Sequence, residues 1–147
     1  MIAGELLQGI ETFADAVELC KTQQLMSPEQ AQELTGFGLL PGKHKELLLG
    51  VPFLIICFDF RVGHDNSSFV ECPIVTTHND KYLLRDSSKG IYVQLSMLYK
   101  ERLEAGEARP FRSHYVRKGL TFQDHNYITA SGESSMSRTY YLTDSVR

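Results

Sequence analysis

Basic and aromatic side chains interleave along segments that read as strands: Arg61, Phe69, Lys81, Arg85, Arg112, Tyr115, Arg117 and Lys118, with Tyr127 in a long polar loop. Cations along a groove neutralise phosphates, and flat rings stack on unpaired bases at about 1–3 kcal/mol per stack. That is the chemistry of single-strand binding. Aromatic residues are also the ordinary filling of a sheet, so packing competes with stacking at every one of these rings.

Other chemistries find less support. The five histidines (His44, His64, His78, His114, His125) never stand at ligand spacing such as H-x-x-x-H. The pairs His64-Asp65 and Asp124-His125, with Glu71 or Asp86, contain the donor types of a metal-dependent nuclease, yet adjacency in sequence fixes no geometry. Between Gly36 and Glu46 the run GFGLLPGKHKE invites a phosphate-loop reading, but Phe37 stands where that loop needs its first glycine and His44 where it needs Ser or Thr. We read a linker. Three cysteines (Cys20, Cys57, Cys72) are an odd number without C-x-x-C spacing and read as small core hydrophobes in a reducing compartment. No catalytic residue, metal ligand or cofactor is assigned, and the chain is expected not to be an enzyme.

A length of 147 residues argues for one folded unit, and 42% hydrophobic with 22% charged residues describes a globular chain rather than a disordered one. The strongest apolar run, Val51 to Phe58, has the length of a buried strand and not of a membrane span. The first residues are acidic (Glu5, Glu11, Asp15, Glu18) and lack the features of a signal peptide, so a cytoplasmic protein is expected. Net charge is −3, which disfavours nucleic acid, but the average hides an asymmetry. Residues 1–40 are acidic, while residues 85–118 carry a local basic excess that remains decisive when screening acts over about 8 Å.

Leu6, Ile10, Phe13, Val17 and Cys20 recur every three or four positions and predict a helix over about 3–21; Ser27-Pro28-Glu29-Gln30 opens a second, ending at Gly36. These helices form an acidic arm that covers the core or joins a second copy. From Val51 the pattern is that of strands, with Phe58, Phe60 and Val62 on one face and Asp59 and Arg61 on the other. A second strand, Phe69 to Thr77, places Val70, Cys72, Ile74 and Thr76 inward and Phe69, Glu71 and Val75 outward, and a third follows from Lys81 to Asp86. Ser87-Ser88-Lys89-Gly90 then opens a helix ending near Ala105-Gly106. Two further strands are expected, Phe111 to Leu120 and Arg138 to Thr143, separated by a loop from Thr121 to Ser137. Three strands, a helix and two strands is the order of the OB-fold. The expected class is therefore α+β, mainly β: an OB-like five-stranded barrel over residues 46–147 behind a helical arm and linker over residues 1–45.

The succession GVPFLIICFDFRVG, FVECPIVT, LLRDSSKGIYVQL, VRKGLTFQDHNY and RTYYLTD resembles a group of phage-encoded single-stranded DNA-binding proteins with an OB-like fold, over about residues 50–143. The resemblance implies a binding surface on or near Arg61, Arg85, Lys89, Arg117 and Lys118. It also implies largely sequence-independent binding of single-stranded DNA, with RNA as the other single-stranded ligand, in phage replication, recombination or repair within a bacterial host. Two features depart from that pattern: there is no Trp to serve as a stacking platform, and the chain ends Asp144-Ser145-Val146-Arg147 rather than in an acidic tail for partner recruitment. The rival reading is a non-catalytic protein-interaction module on the same barrel, and a more distant one is the metal-dependent nuclease.

Overall fold

A computed structural model describes residues 12–23, 38–40, 42–63, 66–87 and 89–144. In chain order these form α1 (Phe13–Gln23), β1 (Gly38–Leu40), a 3-10 helix (Gly42–Leu48), β2 (Phe53–Cys57), β3 (Asp59–Val62), β4 (Ser68–Thr76), β5 (Lys81–Ser87), α2 (Ile91–Glu104), β6 (Arg112–Val116), β7 (Leu120–Ile128) and β8 (Ser134–Leu142). The class is α+β and mainly β. One sheet has the order β1-β5-β4-β2-β6 with β3 also on β4, and β7 and β8 form a second sheet of their own.

β2 and β3 are two halves of one bent strand along β4. Ile55 pairs with Ile74 and Asp59 with Glu71, so four steps on the first strand face three on the second. The extra residue is a bulge, and the Phe58 N–H leaves the ladder there to bond the Phe111 carbonyl at 3.2 Å. Its effect is to switch the alternation. Phe53 and Ile55 before the bulge, and Phe58 and Phe60 after it, all turn to the same core, whereas Leu54, Ile56 and Cys57 turn to the other side.

Both faces of this part of the sheet are covered. On one side Phe53, Ile55, Phe58, Val70, Cys72, Ile74 and Leu84 pack beneath Ile91 and Leu95 of α2 and against Leu120 and Leu142 of the second sheet. On the other, Leu54, Ile56, Cys57 and Val75 lie under Ala16 of α1, with Phe13, Val17 and Cys20 alongside. Two expectations are corrected here: Val75 and Glu71 were to face outward, but Val75 is buried by α1 and Glu71 by two arginines. Strand alternation reports one covered face, and a second cover removes the contrast on which it depends.

α1 begins at a capping box. The Thr12 hydroxyl accepts from the Asp15 N–H at 3.2 Å, and the Asp15 carboxylate accepts from the Thr12 N–H at 3.1 Å. An N-cap residue is not helical, so the described helix starts at Phe13. The Phe13 N–H is bound by the Asn79 side chain at 2.9 Å, which fixes the helix to the β4–β5 turn. Leu6, Ile10 and the helix expected after Ser27 lie outside the described residues. In the stretch expected to be a linker, β1 adds to β5 in parallel and the 3-10 helix sends Leu48 into the core.

The strand expected over Phe111 to Leu120 is two strands. β6 stops at Val116, a turn follows, and β7 continues from Leu120 with Gly119 at φ 68°. A Cβ on Gly119 would run into the carbonyl oxygens of Leu48 and Val51, so the turn requires both the positive φ and the missing side chain. The loop expected over Thr121 to Ser137 is instead a hairpin of two nine-residue strands in continuous register from Leu120↔Leu142 to Ile128↔Ser134. Among the described strands the large sheet remains open: its path runs from β1 to β6, and Leu49 makes isolated bridges to Gly119 and Leu120. No helix of the described residues is long and apolar enough to cross a membrane.

Candidate nucleic-acid interface

The site is built from the first turn of α2 and one face of the hairpin. Asp86, at the end of β5, holds that turn in place: one carboxylate oxygen accepts the Tyr92 N–H at 2.9 Å and the other binds the Lys45 ammonium at 2.8 Å. Gly90 at φ 52° then brings the chain so close to β8 that a Cβ would strike the Tyr140 carbonyl oxygen. One turn on, the buried Gln94 side chain donates to the Leu142 carbonyl at 2.9 Å and accepts from the Leu142 N–H at 2.7 Å. A primary amide satisfies a backbone unit in both directions, so α2 and the root of β8 are joined as two strands would be.

Beyond this root the hairpin diverges from α2 and leaves a groove of about 760 Å³ lined by Lys89, Gln94, His125, Tyr127, Thr139 and Tyr141, among others. The odd-numbered hairpin residues belong to one face because side chains alternate along a strand. Lys89 is exposed, pairs with no carboxylate among the described residues, and lines the groove. Tyr127 is 48% exposed. Of the residues singled out in the sequence, the fold brings these two together.

Arg61, Phe69 and Arg85 form a separate cluster on β3, β4 and β5. Arg61 lies 3.3 Å from Asp59 and 3.5 Å from Glu71, Arg85 binds Glu71 at 2.7 Å, and the Arg85 guanidinium stands 5.5 Å from the centre of the Phe69 ring. Two cations face two carboxylates, so the cluster has no net charge to offer a phosphate. Lys81 lies at the other end of β5, opposite Val75. Arg112 is bound to Glu107 at 2.8 Å, and Tyr115 packs on Phe13 of α1 with ring centroids 5.7 Å apart. Arg117 and Lys118 are exposed in the β6–β7 turn. That turn follows Val116, which pairs with Phe53 and through it with Thr76, seven residues along β4 from Phe69. At about 3.3 Å per residue the separation is about 23 Å. The basic residues singled out in the sequence are thus placed at several positions along the sheet and its turns.

Sequence reasoning weighed His125 only as a metal donor and missed Gln94, Thr139 and Tyr141, whose place in the groove depends on the hairpin. The available signal was Ser131-Gly132 between two polar runs of equal length, with Gly132 at φ 85° in the turn. The opposite face of the hairpin has different chemistry: Arg138 grips Asp124 at 2.7 and 3.1 Å, lies 3.9 Å over the Phe122 ring and reaches Glu46 at 3.3 Å. The bond from Arg138 holds the Asp124 carboxyl below the usual carboxylate range. His114 lies 3.2 Å from Asp144; burial lowers its pKa and the nearby carboxylate opposes that shift. Cys57 and Cys72 are buried free thiols whose pKa values burial raises. Among the described residues no three His, Cys, Asp or Glu side chains converge as a metal site would need, and His64 and Asp65 lie outside that set. Comparison of the chain with protein-family models, with curated proteins and with solved structures returns no match.

Proposed function

We propose that the chain binds single-stranded DNA, with little dependence on base sequence, in the groove between α2 and the hairpin. The observation that carries this reading is the presence of Lys89, Tyr127 and Tyr141 on one groove of about 760 Å³, a cation with flat rings at the scale of ligand sites. An OB-like origin accords with the β2/β3–β4–β5 meander, with α2 after it and with β6 returning to β2. Work in phage replication, recombination or repair belongs to the same proposal. Because Lys89 is the one Lys or Arg among the described residues that line the groove, stacking rather than counterion release should dominate affinity. Fluorescence anisotropy with labelled oligothymidine at several salt concentrations tests this. Tyr127→Ala should weaken binding about 5- to 100-fold at every salt concentration, whereas Lys89→Gln should reduce the magnitude of the salt slope by about 0.7. Binding by folded Tyr127→Ala equal to that of the parent removes the groove from consideration.

A protein-interaction module is the second reading, favoured by the other hairpin face, where Ile128 is 74% and Met136 57% exposed. Failure of the parent protein to bind oligothymidine at low salt selects it.

A further inference from the structure

The residues that line the groove follow a definite order along the hairpin. Gly90 stands against β8 at Thr139 and Tyr140, which places the neighbouring Lys89 near the root. Farther out on β7, His125 pairs with Ser137 and Tyr127 with Ser135. From root to tip the groove therefore presents Lys89, His125 and Tyr127. His125 and Tyr127 share one face of the strand and stand about 7 Å apart along it, so a ligand that reaches from the Lys89 ammonium to the Tyr127 ring passes the imidazole. Resting on the groove reading, we infer that protonated His125 is a second phosphate contact, so that the groove holds a single strand more tightly as pH falls.

The surroundings of His125 leave its charge to a ligand. The titratable groups that line the groove with it are Lys89 from the start of α2 and the phenols of Tyr127 and Tyr141 from the hairpin; among the described residues no Asp or Glu lines the groove. Asp124, its neighbour in the chain, belongs to the opposite face of β7 and is held by Arg138 at 2.7 and 3.1 Å. His125 itself is exposed, with no hydrogen bond or ion pair to another described residue. Of the side-chain types lining the groove, imidazole is the one that changes charge between about pH 5 and 8. A phosphodiester stays anionic throughout that range, and thymine stays neutral. At its alkaline end Lys89 supplies the positive charge of the groove and stacking dominates; at its acid end Lys89 and His125 together neutralise two phosphates, and counterion release adds to affinity.

Anisotropy of labelled oligothymidine on the full chain, measured against salt at about pH 8 and about pH 5.5, tests this with the parent, His125→Gln, His125→Lys and Lys89→Gln. Circular dichroism first establishes that each is folded at both pH values. The magnitude of the parent's salt slope should rise by up to about 0.7 from the higher pH to the lower, the increment of one added phosphate contact on a single strand. His125→Gln should keep the smaller slope at both pH values and His125→Lys the larger one at both. Lys89→Gln should lose about 0.7 at each pH and still show the rise. The inference is overturned by a parent slope that does not change with pH, by a rise that persists in His125→Gln, or by a His125→Lys slope no larger than the parent's at about pH 8. In each of those cases a weakened Tyr127→Ala would still uphold the groove. If the parent binds oligothymidine at neither pH, the groove reading fails and this inference with it.

Discussion

His114 illustrates how a residue that reads as a surface histidine has its pKa lowered by its surroundings. It sits on β6 opposite Ile55, with Asp144 at 3.2 Å and the positive charges of Arg102 and Arg112 nearby. Burial lowers its pKa most and the arginines add to this, while Asp144 acts in the opposite sense. With a folded-state pKa below the unfolded value of about 6.5, the native chain takes up fewer protons than the unfolded chain as pH falls through 6.5. Stability should therefore be fully present above about pH 7 and decline through the mildly acidic range. His114→Gln, which keeps a polar amide, should flatten that part of the curve in urea melts taken between pH 7.5 and 5.5. Parallel pH profiles for parent and variant would show that His114 is not the responsible group. Other residues read in the sequence as free cations have likewise been given partners: Arg61 and Arg85 by Glu71, Arg112 by Glu107. Glu71 reaches both arginines from the neighbouring strand β4, so charge counting along the chain could not foresee that pairing.

At the scale of elements, the hairpin is where sequence and structure differ most. Beyond its root most of its residues are exposed, so neither face shows the apolar alternation by which strands are recognised, and TFQDHNYI reads as a polar loop. An isolated two-stranded hairpin is marginal in water, and this one relies on its attachment at Leu120 and Leu142 in the core and on Gln94. Gln94→Leu should leave the Leu142 N–H and carbonyl without their side-chain partner and cost about 2 kcal/mol or more. It should also speed hydrogen exchange along β8 ahead of β4. Unchanged exchange on β8 would mean that core packing alone holds the hairpin. By contrast α2 was legible almost to the residue, because Ser87 to Gly90 mark its start and Ala105-Gly106 its end. Those are local signals, and nothing in the tertiary structure overrides them.

Seen as a whole, the molecule is a sheet held between unlike covers, α2 with the hairpin root on one side and α1 on the other. The part of the apolar stripe on α1 that is described (Phe13, Ala16, Val17, Cys20) rests on the chain's own sheet. Removing residues 1–23 should expose Leu54, Ile56 and Val75 together, lower the Tm by several degrees and increase binding of an apolar dye. Equal Tm and dye binding for the truncated and full chains would show that α1 contributes nothing to stability. The sequence by itself determined the mainly β class, the meander, α2 and the buried character of VPFLIICF, all of which follow from contacts between near neighbours or from simple periodicity. Only the tertiary structure decided that the sheet has two covered faces, that a bulge at Cys57 and Phe58 turns both halves of one strand to the same core, and that Lys89 and Tyr127 share a groove. It also distributed the remaining basic residues to separate places. The physical reason is the same throughout: periodicity records whether a side chain is covered, but not what covers it, and a charge is available to a ligand only when no carboxylate from elsewhere in the chain reaches it first.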